Sequence, residues 1–163
     1  MLGVTATPET AMATQIKPAK DLYEEDLYLW SQAQAALLRA GRFDELDLEN
    51  LIEEVEDVGG ALRRSVRNRA MTIMVHLLKL QHSPSPEPRV GWRDTIRTQR
   101  TRLSTDLTPT LRRVLAADLA DLYDRARHDA DGSLRDHGEH AAADALPHAC
   151  PYTLDQITGD WLP

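Results

Sequence analysis

His76 and Lys79 stand three residues apart in "MVHLLKLQ", at the end of an apolar run, and Trp92 opens the next run in "GWRDTIRTQR". Histidine titrates near neutrality and serves as a general acid, a base or a metal ligand. Arg93, Arg97 and Arg100 recur at helical spacing, with Arg100 nearest the apolar stripe of its helix. Glu49, Glu53 and Glu56 share one helical side, Glu54 lies beside them, and Glu56 is nearest the core. Three carboxylates so placed either bind a hard cation or form an ordinary solvated face. As a catalytic set these residues would make a hydrolase acting on a phosphate-bearing substrate. His76 would then be the acid–base group, Glu54 and Glu56 would orient it or hold a metal, and Lys79 and Arg100 would stabilise developing negative charge. The structural alternative is a buried network of Asp26, Glu54, Glu56, His76 and Arg100 that fixes helix register. In it the histidine is satisfied by one hydrogen bond and Arg100 pairs with Glu54 or Glu56. Spacing favours the second reading, an interaction or structural module. There is no Glu-x-x-His, His-x-x-x-His, Cys-x-x-Cys or His-Glu-x-x-His, so neither a metal nor a cofactor is expected.

These side chains must be positioned by helices. Residues 1–20 are small, polar and non-periodic, and read as a tail ahead of one domain over 21–163. Asp21 can cap a first helix ending at Ala40, with Gly41 as its stop. Tyr23, Leu27, Trp30, Gln34, Leu37 and Leu38 point inward at helical spacing, and Asp26 falls on the same stripe. Asp47 is placed to cap a second helix whose buried side is Leu48, Leu51, Ile52, Val55 and Val58. Gly59-Gly60 makes a soft spot there, and the pattern resumes in phase to about Gln81. The prolines of "SPSPEPRVG" end that helix. A third helix starts near Gly91 or Trp92, and Thr108-Pro109 caps a fourth that runs past Ala126 until Gly132 and Gly138 break it. Thr153 caps a last short helix toward Trp161. With no strand-like alternation, the fold class is all-α: a bundle of four to five main helices with a long second helix.

Composition limits the functions available. The net charge of −7 argues against general nucleic-acid binding. It is unevenly spread: residues 1–60 hold 4 basic and 13 acidic groups, 61–113 hold 12 and 3, and 114–163 hold 3 and 10. The basic centre is thus placed to pair with its acidic flanks. No apolar run reaches the ~20 residues that span a bilayer. One cysteine, Cys150, allows no intrachain disulfide, so the cytoplasm is the expected compartment and the thiol an inert one. A protein partner or a homo-oligomer is the expected company.

Five blocks, "YEEDLYLW", "LLRAGRFDELDLENLIEEVEDVG", "HLLKLQ", "GWRDTIRTQR" and "CPYTLDQI", follow one another in an order that resembles domain of unknown function family 29. The resemblance covers roughly residues 21–163. It implies an all-helical bacterial domain with no established activity. It also brings forward Asp26, Trp30, Glu54, Glu56, Gly59, His76, Lys79, Trp92, Arg100 and Tyr152. Around "ARHDADGSL" the chain departs from the pattern, with Asp131-Gly132 where a Glu-Thr pair is expected.

Overall fold

A computed structural model describes residues 22–163, so Asp21 and the 1–20 segment lie outside the described residues. Helices α1 (Leu27–Ala40), α2 (Leu48–His82), α3 (Arg89–Asp106), α4 (Pro109–Ala117), α5 (Leu119–Asp136), α6 (His140–Asp144) and α7 (Leu154–Thr158) follow in order. A 3-10 turn, Phe43–Glu45, links the first two, and no strand occurs among the described residues. The fold is all-α, with one long second helix. Contacts divide the chain into two compact units that meet between Asp57 and Val58, within α2.

In the first unit, α1 starts later than its apolar spacing predicts. Asp26 is its N-cap, accepting from the Leu29 N–H at 2.9 Å, so this carboxylate is exposed and is no part of an inward stripe. Gly41 closes the helix in the left-handed conformation, φ 69°, as the sequence predicts. The buried residues are few: Trp30, Gln34, Leu46 and Asp47. Trp30 Nε1 donates to Asp47 Oδ2 at 3.2 Å, Asn50 Nδ2 donates to the same oxygen at 2.7 Å, and the Asp47 N–H donates to Gln34 Oε1 at 3.0 Å. A buried carboxylate is tolerated because it is hydrogen-bonded on this scale.

Here the expected inward side of α2 is overturned. Leu48, Ile52 and Val55 are 55%, 55% and 66% exposed, and of the predicted set in this unit only Leu51 is half-buried. Asn50 and Glu54 are half-buried beside it. At about 100° per residue, the inward side is turned roughly a quarter of a revolution from the apolar one. Polar partners outside α2 explain the rotation: Trp30 and Gln34 of α1 hold Asp47 at its start, and Glu54 Oε1 accepts from the Tyr23 hydroxyl at 2.9 Å.

In the second unit α2 runs on unbroken through Gly59-Gly60, and a Cβ built on Gly59 meets nothing within 4 Å. The glycine therefore answers to no close approach. Val58 and Leu62 are also exposed, and burial begins only at Val66. From there Ala70, Ile73, Met74, Leu77, Leu78 and Leu80 pack with Ile96 and Leu103 of α3, Leu115 of α4 and Leu122, Tyr123, Ala126, Ala130 and Leu134 of α5. Tyr152 and Ile157 close this core.

Arg63 and Arg67 both pair with Asp118, at the joint of α4 and α5, and Arg69 pairs with Asp106 at the end of α3. That joint breaks the single fourth helix expected past Ala126. Gly132, by contrast, lies inside α5 and breaks nothing. The third helix opens at Arg89, ahead of Gly91. Thr108 and Thr153 cap as predicted, the latter in a reciprocal capping box with Gln156, although α7 stops short of Trp161.

Candidate functional site

His76 is half-buried on α2, and its Nδ1 is buried without a hydrogen bond, so the single satisfying bond expected there is not made at that nitrogen. Burial first, and then the charge of Lys79, push its pKa down to about 4. The ring is neutral at pH 7, which suits it poorly to protonate a leaving group.

One turn on, Lys79 Nζ donates to Ser133 Oγ at 2.9 Å and lies 4.8 Å from the centroid of the Trp92 ring. Burial lowers its pKa, and the charge of Glu139 opposes that. An ammonium over an indole face is an electrostatically favourable contact.

Arg100 is bonded to carbonyls of its own unit. Its Nε donates to the Ile157 carbonyl at 3.0 Å, and its Nη2 donates to the carbonyls of Gln156 at 2.6 Å and Trp161 at 2.7 Å. The first two are carbonyls in the last turn of α7, the negative end of a helix, which a guanidinium satisfies well, and the third lies in the segment after it. Arg97 pairs locally with Asp94 at 2.8 Å. The three arginines line one cleft together with Thr101, Ser104 and Asp160.

In the first unit, Glu54 holds the Tyr23 hydroxyl, whose pKa rises to about 12, chiefly through that hydrogen bond. Trp30 meets Tyr23 edge to face, with ring centroids 5.0 Å apart. Glu56 is exposed and makes no ion pair among the described residues. Tyr152 is buried, and its hydroxyl donates to Gln81 Oε1 at 3.1 Å. The Cys150 thiol donates to the Tyr152 carbonyl at 3.4 Å, and burial pushes its pKa up, which keeps it a thiol.

Within the first unit no hydrogen bond or ion pair joins any two of Asp26, Glu54 and Glu56 among the described residues, and within the second none joins His76 and Arg100. The polar network that does form, Trp30–Asp47–Asn50–Gln34, was divided by the sequence reading between an inward stripe and a helix cap. Among the same residues no group of three or more His, Cys, Asp or Glu side chains is placed to hold a metal ion, the Glu49, Glu53 and Glu56 side included.

Two features stand out once the partners are assigned. One is the number of exposed apolar side chains in the first unit: Leu27, Tyr28, Leu29, Leu38 and Phe43, and on α2 Leu48, Ile52 and Val55, which share one side of that helix. The other is a cleft in the second unit, where Lys79 and Trp92 meet Ser85, Ser133, His137 and Glu139. The last four were missed by sequence reasoning. They lie in a proline loop and around a glycine-containing turn, and nothing in their spacing announces that they meet Lys79.

The model of the domain of unknown function DUF29 matches residues 22–162. The chain belongs to the DUF29 family. The match spans both units and takes in every candidate residue named above. No curated protein and no solved structure matches the chain. Among the described residues, no helix of this DUF29 chain is long and apolar enough to cross a membrane.

Proposed function

We propose that this DUF29 protein is a cytoplasmic interaction module whose first unit docks a protein partner presenting a basic amphipathic helix. The observation that carries the reading is the balance of that unit. Over residues 22–57 it buries two large hydrophobic side chains, Trp30 and Leu46, and leaves eight exposed. Single exposed hydrophobics are ordinary, but a concentration on so short a segment marks an interaction surface.

Charge supplies the partner's chemistry. Residues 22–57 hold 11 Asp/Glu and 2 Lys/Arg, a net −9. Glu49, Glu53 and Glu56 run along one edge of the Leu48–Ile52–Val55 face, and none of them is in an ion pair among the described residues. A second copy would set −9 against −9. A helix with an apolar stripe and basic flanks fits the apolar face and neutralises the edge.

The test is titration of the full chain with a basic amphipathic helical peptide and with its acid-flanked twin. The basic peptide is expected to bind, with affinity falling as salt rises. The twin is expected not to bind. Replacing Ile52 and Val55 by Gln leaves the charge alone and is expected to weaken binding about tenfold or more. Equal binding of the two peptides refutes the partner's chemistry. A molar mass twice 18.3 kDa that falls by half in the double variant assigns the face to a second copy instead.

A further inference from the structure

In the cleft around Lys79 the ammonium and Glu139 act on each other as opposite charges, and little is left for a ligand to answer. A second cleft, also within the second unit, is different. It encloses about 440 Å³, and small-molecule sites run roughly 300–1,000 Å³. One wall is a side of α3, where Arg93, Arg97, Arg100, Thr101 and Ser104 follow at helical spacing. The other is formed by Thr158, Asp160 and Leu162, at the end of α7 and beyond it.

The charges here do not cancel. Asp94 holds Arg97 through Nη2, and Asp160 is the carboxylate whose charge acts on Arg100. Two carboxylates thus stand against three guanidinium groups, and Arg93 is exposed with no hydrogen bond or ion pair among the described residues. Arg100 is half-buried, is in no ion pair among those residues, and gives Nε and Nη2 to neutral carbonyls. Its Nη1 makes no bond among them and is not buried. Free donors therefore remain on all three arginines. The hydroxyls are the reverse. Thr101 donates to the Arg97 carbonyl at 3.0 Å and Ser104 to the Thr101 carbonyl at 2.8 Å, so both offer the cleft oxygen lone pairs and no hydrogen. The Asp160 carboxylate is an acceptor too.

We propose that this cleft binds a phosphate monoester of a small polyol, its phosphate on the arginines and its hydroxyls on Thr101, Ser104 and Asp160. A phosphate monoester brings three acceptor oxygens and a charge of about −1.5 to −2, which suits several guanidinium forks better than a single carboxylate does. Ser104 lies two turns beyond Arg97, about 10 Å along the helix, so donors and acceptors are spread along the cleft. An uncharged polyol would leave Arg93 unanswered. A bare anion would leave the hydroxyl oxygens without donors and would meet Asp160 with like charge. The site lies wholly in the second unit and is independent of the docking face.

Calorimetric titration of the full chain with glucose 6-phosphate and ribose 5-phosphate tests this, with glucose and ethyl phosphate as probes that keep one end each. At least one sugar phosphate is expected to bind saturably, more weakly as salt rises, and both single-ended probes about tenfold more weakly or worse. Arg93→Gln, at an exposed side chain with no partner to lose, is expected to weaken sugar-phosphate binding about fivefold or more. Ser104→Ala is expected to narrow the gap between sugar phosphate and ethyl phosphate. Glucose or ethyl phosphate binding as tightly as the sugar phosphate overturns the proposal. So does full affinity in Arg93→Gln, and so does the absence of saturable heat for both sugar phosphates up to about 10 mM. The probe comparison needs only wild-type protein, so a variant that fails to fold does not blunt the test.

Discussion

At the scale of the residue, His76 links sequence, packing and pH. Its folded pKa of about 4 lies below the ordinary 6.5, so the unfolded chain takes the proton first as pH falls. Its contribution to stability is therefore fully present above pH 6.5 and is lost as pH drops toward 4. At ~1.4 kcal/mol per unit, and discounted for partial exposure, the loss is on the order of 1–2 kcal/mol. Urea unfolding of wild type and His76→Leu between those pH values checks this: the variant is expected to show a flatter acid limb. Arg100 gives a second prediction. Arg100→Met removes two bonds to carbonyls at the end of α7 and one to the Trp161 carbonyl beyond it, and is expected to cost about 2–3 kcal/mol. Amide exchange over residues 154–158 should quicken with it. The sequence singled out both residues, because a polar group on or beside an apolar stripe is visible as a break in periodicity. It did not give their partners. Arg100 was matched to carboxylates by charge alone, whereas the fold brings it the unpaired carbonyls of a short helix far along the chain.

At the scale of the element, the caps were legible and the faces were not. Gly41, Thr108-Pro109 and Thr153 act on backbone groups within three or four residues, so local sequence suffices to place them. The inward side of α2 depends on what packs against it. In the first unit that is Trp30, Gln34 and Tyr23, whose hydrogen bonds hold Asp47 and Glu54 inward and turn the apolar residues outward. The break between α4 and α5 has the same origin, since Asp118 is held by Arg63 and Arg67 more than fifty residues away. Gly59 yields the clearest element-scale prediction. It sits inside an unbroken helix with open space where its Cβ would be, so Gly59→Ala is expected to stabilise by about 0.5–1 kcal/mol. A shift in denaturant midpoint at constant slope would show it. Destabilisation would mean that the glycine pair answers to a conformation other than straight helix.

At the scale of the whole molecule, charge separates the two units. The acidic C-terminal flank meets the basic centre inside the second unit, through Arg63 and Arg67 on Asp118 and Arg112 on Asp155. This is half of what the sequence predicts. In the first unit Glu49, Glu53 and Glu56 are in no ion pair among the described residues, and Arg42 pairs with Glu45 in an exposed contact. A unit with an unpaired acidic edge and an uncovered apolar face is poorly satisfied alone, and this is the ground for assigning it a docking role. The central claim is that Leu48, Ile52 and Val55 meet the partner. The most direct test is methyl-resolved NMR of the full chain, labelled at Ile, Leu and Val and titrated with the basic amphipathic peptide. The account predicts saturable shifts concentrated at Leu48, Ile52 and Val55, with the buried methyls of Ile73, Leu77 and Leu103 unmoved. Saturable binding that leaves those three methyls in place and shifts others contradicts it.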